Sequence, residues 1–369
     1  MKAALPSGNH VTLAVPELRR GVEAYLRDVL RKHRMSELFQ DGLEPLYSDL
    51  TEFVRRKGKR IRPLIFLLTY QVLNGKSRTS QQDLIQTAAA LELFHAFILV
   101  HDDVIDRSEQ RRGKPTLHKL IERRIGLVKD GARSGMNISI VMGDLLFALA
   151  CETILKTRLS AERKESLLHE FLDCVSETGA GEMYDILHSG CEINRVSLDH
   201  IRRTYFLKTT KYTFECPMIL GAKLAGVSPA CVKSLRAFAH PIGLAFQIQN
   251  DLVEFMQGDT AGRMMITDFL EGKKTLLLRY AYDRVGKVDQ LFLQTCFDAK
   301  RLTTQATQRI RLLIVQSGAF SDLQRQVEVL FDDAEQTLTL SDFTYQQQEG
   351  LKELLRCMRQ MTLSPSKVS

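Results

Sequence analysis

Apolar residues recur at every third or fourth position through most of this chain, and that spacing restricts its fold more than any other feature. The pattern predicts helices over residues 84–106, 139–155, 198–224, 232–255 and 303–340, the last with an interruption near Ser317 and Gly318. Strands would need a period of two and more β-branched and aromatic residues than these segments contain. We therefore predict an all-α fold.

Several of these helices are apolar on more than one side, as in residues 91–100, which indicates that they lie inside a bundle. Helix-breaking residues at 112–115, 131–135 and 227–229 separate them. The chain has no Pro/Ser/Gly-rich linker and no repeat of fixed period. We therefore expect a single helical domain over residues 1–369, with a core from about 18 to 360 and flexible ends at 1–12 and 364–369.

The charge of the chain restricts its partners. The net charge is +7, and basic residues cluster at 55–62 and 107–114. Such clusters suit nucleic acid, an anionic membrane or phosphorylated small substrates. The sequence has no tryptophan and no C-x-x-C pair, so it lacks the stacking platforms and zinc patterns that are typical of nucleic-acid-binding proteins. We expect no nucleic-acid partner.

Cysteine usage and the apolar segments suggest a compartment. The seven cysteines are odd in number and scattered, which favours a reducing environment. The first ten residues lack a basic region followed by an apolar stretch, and no segment offers about 18 uninterrupted apolar residues. We therefore expect a cytoplasmic protein without a membrane span.

Three aspartates lie at the end of the apolar helix predicted over 84–106. Asp102 and Asp106 are one turn apart on the same face, and Asp103 lies about 100° away around the helix. Like charges at this spacing repel, so a cation should compensate them. Magnesium binds carboxylate oxygens and keeps positions open for water and phosphate. The alternative is a solvated acidic helix end.

A second acidic segment ends the helix predicted over 232–255. Asp251 and Glu254, at i and i+3, can share a face, and Asn250 adds a neutral oxygen. If this end faced the first acidic motif across a bundle, the two could hold several cations. The alternative is again a solvent-facing helix end.

Basic residues accompany the acidic motifs. Lys59 and Arg62 precede an apolar run, while Arg111 and Arg112 follow the first acidic motif. Arginine can grip phosphate with two hydrogen bonds, and lysine acts as a point charge. Opposite charges beside apolar helices suit a ligand with a metal-bridged diphosphate head and an apolar tail. Solvated surface charge is the alternative.

These residues also occur in a familiar order. The motif G-K-x-x-R-P stands at 58–63, D-D-x-x-D at 102–106, R-R-G-x-P-T at 111–116, K-T at 208–209, and G-K-x-T-L at 272–276. From about Arg56 to Leu278 the chain resembles the polyprenyl synthetase family, the trans-isoprenyl diphosphate synthases that include farnesyl and geranylgeranyl diphosphate synthases. The resemblance implies a helical bundle of the isoprenoid synthase type with a central active-site cavity.

The resemblance also implies substrates and their contacts. The substrates would be isopentenyl diphosphate and an allylic diphosphate, namely dimethylallyl, geranyl or farnesyl diphosphate. Residues implied for isopentenyl diphosphate are Lys59, Arg62, His95 and Arg112. Residues implied for the allylic side or its phosphates are Arg111, Lys208, Thr209, Gln247, Arg263 and Lys273. By default, His95 would be a core histidine, and Lys208 and Lys273 surface charges.

Catalysis and assembly follow from the same resemblance. The implied catalytic residues are Asp102, Asp103, Asp106, Lys208 and Lys273. The implied magnesium ligands are Asp102, Asp103, Asp106, Asp251 and Glu254, for up to three ions. The family assembles as homodimers, so we expect one here.

Three departures from the family pattern concern the second half of the site. Asn250 and Glu254 replace aspartates of a second D-D-x-x-D motif, which brings magnesium affinity on that side into question. Arg263 replaces a family lysine, and Ile266 replaces a glycine. Two rival hypotheses therefore remain, a terpene cyclase of related fold and a catalytically weak subunit of a prenyl synthase.

The product chain is expected to run along the helix that carries Asp102. Phe97, five residues before the motif, would form the floor of the cavity, and Ile98 beside it is aliphatic. This pair favours a product of farnesyl to geranylgeranyl length. The alternative is that Phe97 is an ordinary core residue.

Overall fold

The computed structural model describes residues 15–35, 39–74, 79–111, 113–126, 130–256, 269, 271–297, 299 and 302–363. These residues are almost all helical, which confirms the predicted all-α fold. One two-residue antiparallel ladder pairs β1 (Gln110–Arg111) with β2 (Lys114–Pro115). Gly113, with φ of +72°, makes the tight turn between these strands. The predicted ends 1–12 and 364–369 lie outside the described residues.

The described chain falls into two compact units, which are taken separately below. The first comprises residues up to 169 together with 220–226, and the second comprises 170–219 and the chain from 227 onward. The expected single domain over 1–369 stays a prediction.

The first unit is built from six helices among the described residues. They are α1 (Val15–Arg34), α2 (Glu44–Arg55), α3 (Ile61–Leu73), α4 (Gln81–Ile105), α5 (Leu117–Arg124) and α6 (Gly131–Leu155). Helix α4 forms its core, because Ala88, Ala89 and Ala90 are completely buried and let neighbouring helices approach. Helices α7 (Ala161–Ser189) and α9 (Cys216–Ala225) contribute residues to both units.

The predicted break at residues 131–135 is wrong. Helix α6 begins at Gly131 and continues through Gly135. A Cβ atom at Gly135 would lie 2.7 Å from the carbonyl oxygen of His118, so this glycine allows α5 and α6 to pack closely. Gly143 likewise allows α4 and α6 to pack closely, because a Cβ atom there would lie 2.8 Å from Nε2 of His101 on α4.

The second unit contains the remaining elements. They are a 3-10 helix (Ile193–Arg195), α8 (Leu198–Tyr205), a π-helix (Phe206–Glu215), α10 (Pro229–Met256), α11 (Leu276–Arg284), α12 (Lys287–Phe297), α13 (Thr304–Gln316), α14 (Ala319–Thr339) and α15 (Tyr345–Leu363). The interruption predicted near Ser317 and Gly318 is confirmed between α13 and α14. The stretch predicted as one helix over 198–224 is instead three successive helical segments, with a π-helix in the middle.

The π-helix lies close to two neighbours. A Cβ atom at Gly243 of α10 would lie 2.4 Å from the Thr210 side chain, and one at Gly181 of α7 would lie 2.5 Å from the backbone nitrogen of Lys208. Both glycines therefore let the helices approach at the point where the π-helix carries Lys208 and Thr209.

Helices α4 and α6 are long and apolar enough to cross a membrane by length and composition alone. This is weak evidence for a span, because core helices of water-soluble proteins have the same properties. Within the most apolar window of α4, 67% is buried inside the protein, as a core helix would be; the corresponding value for α6 is 44%.

Candidate active site

The first acidic motif forms a compact ion-pair cluster at the end of α4. Arg111 reaches back from β1, with Nε 2.6 Å from Asp103 Oδ1 and Nη2 2.7 Å from Asp102 Oδ2. The side chain of Asp103 is only 1% exposed. Asp103 is therefore a buried carboxylate, and an arginine of the same chain supplies the compensating charge that the sequence predicted.

The electrostatics of Asp103 suit a further cation. Burial raises its pKa to about 6; Arg111 opposes this rise, while Asp102 and Asp106 add to it. Its Oδ2 atom is buried and has no hydrogen-bond partner among the described residues. A divalent cation would satisfy that oxygen and relieve the repulsion among the three carboxylates.

The carboxylates are not gathered around an ion position. Among the described residues, no group of three or more histidine, cysteine, aspartate or glutamate side chains is arranged to hold a metal ion. Arg111 accounts for this in the first unit, because it bridges Asp102 and Asp103. Arg111 holds one oxygen of each carboxylate, so a magnesium ion there would bind beside the guanidinium or displace it.

The raised pKa of Asp103 predicts how the metal-free fold responds to pH. The ordinary pKa of the Asp103 carboxyl is 3.8, so between pH 3.8 and about 6 this group is ionised in the unfolded chain but still protonated in the folded protein. The free energy of unfolding therefore falls as pH rises through this range. Above pH 6 the ionised Asp103 lowers the free energy of unfolding by up to about 3 kcal/mol, and below pH 3.8 this loss is absent. The free energy of unfolding of Asp103→Asn minus that of the wild type, in chelator, is therefore expected to increase from pH 4 to pH 7. A flat or decreasing difference would contradict the burial argument.

A buried ion pair supports the basic cluster before α3. Arg60 has a left-handed backbone with φ of +52°, and its Nη1 lies 2.5 Å from Oε1 of Glu92 on α4. The two side chains are 4% and 7% exposed. Arg60 thus anchors the segment that carries Lys59 and Arg62, which are half-buried and buried respectively. Burial also lowers the pKa of the Lys59 ammonium.

Two of the predicted diphosphate contacts meet at one small cavity. His95 and Arg111 line it together with the Arg60–Glu92 pair and Leu99. Its volume is about 20 Å³, so it is a narrow polar notch. Arg112, predicted to contact the isopentenyl substrate, lies outside the described residues.

The two residues predicted to set chain length lie on different sides of α4. The Phe97 ring packs on Phe147 of α6, with 5.4 Å between ring centroids, and on His101 at 4.8 Å. Ile98 precedes Asp102 by four residues and therefore shares its stripe of the helix. Ile98 is thus the residue one turn beneath the acidic motif.

In the second unit, Asp251 is held by hydrogen bonds and is 7% exposed. Its Oδ1 accepts from Nε2 of Gln247 at 2.8 Å, and its Oδ2 accepts from the hydroxyl of Tyr205. Oε1 of Gln247 in turn accepts from the Thr209 hydroxyl at 2.8 Å. Thr209, Gln247 and Asp251, all predicted site residues, therefore form one chain of hydrogen bonds. Asp251 is a buried group and not a solvated helix end.

Glu254 lies near the same place, half-buried one turn after Asp251. The two acids line a cavity of about 30 Å³ with Phe255, Thr275 and Ile310. Asn250, in contrast, is exposed.

Lys208 lies between two acids that the sequence analysis missed. Its Nζ is 2.8 Å from Glu182 and 2.7 Å from Asp185, both on α7. The sequence does contain a signal for these two acids, because they stand at i and i+3 directly after Gly181. In the structure Gly181 lies at a close contact between α7 and the π-helix. Lys208 is accordingly a partly buried, paired cation and not an ordinary surface charge.

The neighbouring lysines 273 and 274 have different environments. Lys274 is 6% exposed and donates from Nζ to the Ser189 carbonyl oxygen at 3.1 Å, so it anchors the loop before α11. Lys273 forms an ion pair with Glu271 at 2.6 Å and is 23% exposed. Lys273 is thus the more accessible of the two. Arg263 lies outside the described residues.

A larger cavity in the second unit is separate from these groups. Its volume is about 570 Å³, and it lies between α7, α8, the π-helix and α10. Its lining includes Tyr184, His188, His200, Arg203, Phe206 and His240. None of the predicted site residues that the structure describes is among its lining, so cavity size alone does not locate the site.

Comparisons with known proteins agree on one family. The polyprenyl synthetase family model matches residues 44–312. The chain is 30% identical over 267 residues to a short chain isoprenyl diphosphate synthase of Methanocaldococcus jannaschii, covering 71% of this chain and 74% of the relative. It is 29% identical over 291 residues to a geranylfarnesyl diphosphate synthase of Aeropyrum pernix, covering 78% and 84%.

The fold has solved counterparts. A geranylgeranyl pyrophosphate synthase of Corynebacterium glutamicum, complexed with isoprenyl diphosphate and magnesium, superposes with a TM-score of 0.85 at 26% identity. The match covers 95% of this chain and 99% of that structure.

Proposed function

This chain belongs to the polyprenyl synthetase family, and we propose that it condenses isopentenyl diphosphate with an allylic diphosphate to form a longer prenyl diphosphate. The observation that carries the proposal is the partly buried Asp102–Asp103–Arg111 cluster at the end of apolar helix α4. It brings the guanidinium of Arg111, on β1, against two carboxylates at the end of an apolar helix, and an ionising prenyl substrate needs such a combination of charged and apolar groups.

Heterolysis of the allylic carbon–oxygen bond leaves a carbocation and a diphosphate anion. The double bond of isopentenyl diphosphate then attacks the cation, and the departing diphosphate takes the proton that is lost. Magnesium, when bound, supplies positive charge that stabilises the leaving group. We propose Asp102, Asp103 and Asp106 in the first unit, and Asp251 and Glu254 in the second, as its ligands.

The protein's own part is to bind diphosphate and exclude water. For the allylic diphosphate we propose Arg111, Lys208 and Lys273 as cationic contacts, with Thr209 and Gln247 as neutral polar contacts. Lys59, Arg62, His95 and Arg112 are proposed for isopentenyl diphosphate. Apolar walls protect the cation from hydrolysis.

Product length should respond to the residues beneath Asp102. Because Ile98 shares the stripe of Asp102, Ile98→Phe adds a ring one turn below the motif and is expected to shorten the main product by at least one isoprene unit. Phe97→Ala removes the ring contact with Phe147 and is expected to lengthen the main product. Chromatography of the products from each starter measures both changes. An unchanged profile in both variants would contradict a chain-length role for this pair.

We further propose that the protein is a cytoplasmic homodimer. Helix α7 exposes Met183 and Leu187, at 60% and 66%, and such exposed apolar side chains on one helix suit an interface. Light scattering of the purified chain measures the assembly state.

The experiment that tests the proposed function is incubation of the protein with magnesium, isopentenyl diphosphate and each of dimethylallyl, geranyl and farnesyl diphosphate. Elongated diphosphates of farnesyl to geranylfarnesyl length are the expected products. Cyclised hydrocarbon would favour the terpene cyclase, and the absence of turnover would favour the catalytically weak subunit.

A further inference from the structure

The hydroxyl group of Tyr205 occupies a junction between three segments of the second unit. Tyr205 is the last residue of α8 and is 7% exposed. Its hydroxyl donates to Oδ2 of Asp251 on α10 and accepts from the backbone nitrogen of Leu276 at 3.0 Å. A single buried group therefore connects α8, a predicted magnesium ligand and the first residue of α11.

The orientation of Asp251 depends on this hydroxyl. With Gln247 donating to Oδ1 and Tyr205 donating to Oδ2, both carboxylate oxygens have a neutral donor. Two donors, one on each oxygen, fix the rotation of the carboxylate plane. Outer hydrogen-bond partners of this kind orient metal ligands and influence metal affinity.

The same hydroxyl also fixes the loop before α11. Leu276 directly follows Thr275, whose Oγ1 accepts from Leu278 and caps the helix at 3.2 Å. Lys273 lies three residues before Leu276. The position of this proposed phosphate-binding lysine is thus connected through Leu276 and Tyr205 to the carboxylate of Asp251.

The composition of the second acidic motif makes this support more important. Asn250 and Glu254 stand where the second D-D-x-x-D motif of the family pattern has aspartates. Of its three acidic positions, only Asp251 is therefore an aspartate in this chain. A site with fewer well-matched ligands depends more on the orientation of the one that remains.

We propose that Tyr205 is a positioning residue that holds Asp251 in the orientation needed for a divalent cation. It also couples that cation to the Lys273 loop. The inference rests on the proposed function, because it assigns Asp251 to magnesium. Tyr205 acts through Asp251 and does not itself contact substrate.

The test is a magnesium titration of the full chain at fixed inorganic diphosphate, read by thermal unfolding, with elongation activity measured in parallel. Tyr205→Phe removes only the hydroxyl. Tyr280→Phe is the matched control, because its hydroxyl on α11 accepts from Arg202 of α8 at 3.1 Å and so also connects α8 with α11. Asp251→Asn defines the part of the response that belongs to Asp251. A cooperative thermal unfolding transition in the absence of magnesium checks that each variant is folded.

In Tyr205→Phe the half-saturating magnesium concentration is expected to rise about tenfold, with activity recovered at high magnesium. Tyr280→Phe should stay within about twofold of the wild type, and Tyr205→Phe should add nothing in an Asp251→Asn background. If Asp251→Asn shifts the half-saturating magnesium concentration and Tyr205→Phe does not, the inference about Tyr205 is overturned while the proposed function stands. A wild type that binds magnesium but never elongates would instead overturn the proposed function.

Discussion

Asp102→Asn is expected to lower kcat/KM for elongation by at least about a thousandfold, a loss of about 4 kcal/mol in transition-state stabilisation. The substitution keeps the shape of the side chain but removes one of the charges beside Asp103. The diphosphate leaving group would then lose a metal-holding carboxylate at the moment when its negative charge develops. The expected loss is therefore in kcat as well as in magnesium affinity.

Steady-state kinetics at saturating magnesium measure this effect. Asp144→Asn is a suitable control, because Asp144 lies on α6 with its side chain 68% exposed and 3.6 Å from His101. The control should retain activity within about threefold, as expected for an exposed charge. Comparable losses in both variants would point to general damage around α4 and α6. A fully active Asp102→Asn enzyme would remove the motif from the mechanism.

Lys208→Met is expected to lower kcat/KM for the allylic substrate about a hundredfold. The ammonium is held by Glu182 and Asp185 at a fixed place on the π-helix, so its removal deletes the preorganised cation that we propose as a phosphate contact. It also leaves two partly buried carboxylates facing each other. Both effects oppose the binding of an anionic substrate.

Lys211→Met provides a matched comparison on the same π-helix. Lys211 also lies between two acids, Glu177 and Glu215, each at 2.9 Å. Glu215 is 2% exposed and also pairs with the partly exposed Arg236. This variant is therefore expected to lower the melting temperature and to leave kcat/KM within about threefold at 25 °C. If both lysine variants lost activity equally, the special role of Lys208 would be refuted.

The sequence predicted the all-α fold and the position of the first acidic motif at a helix end, because both depend on local pattern. The apolar stripe of α4 and the i, i+4 spacing of Asp102 and Asp106 are visible without a structure. In contrast, the closure of Arg111 onto Asp102 and Asp103 depends on a hairpin turn at Gly113, which periodicity does not reveal. The structure shows an internal arginine as the first compensating charge, and the magnesium requirement stays a prediction.

Contacts over long sequence separation explain what was missed. Gly135 reads as a helix breaker locally, yet it lies inside α6 because His118 approaches it from α5. The Lys208 contacts with α7 and the Tyr205–Asp251 hydrogen bond both join residues far apart in the sequence. Residue types and spacing alone do not encode such pairings.

The most direct test of the central claim is transfer of label from isopentenyl diphosphate into an extractable prenyl diphosphate, with wild type and Asp102→Asn compared under magnesium and under chelator. We expect chain elongation by the wild type with magnesium and loss of that product in the other three conditions. Equal label transfer by Asp102→Asn, or none by a folded wild type with any allylic starter, would contradict it.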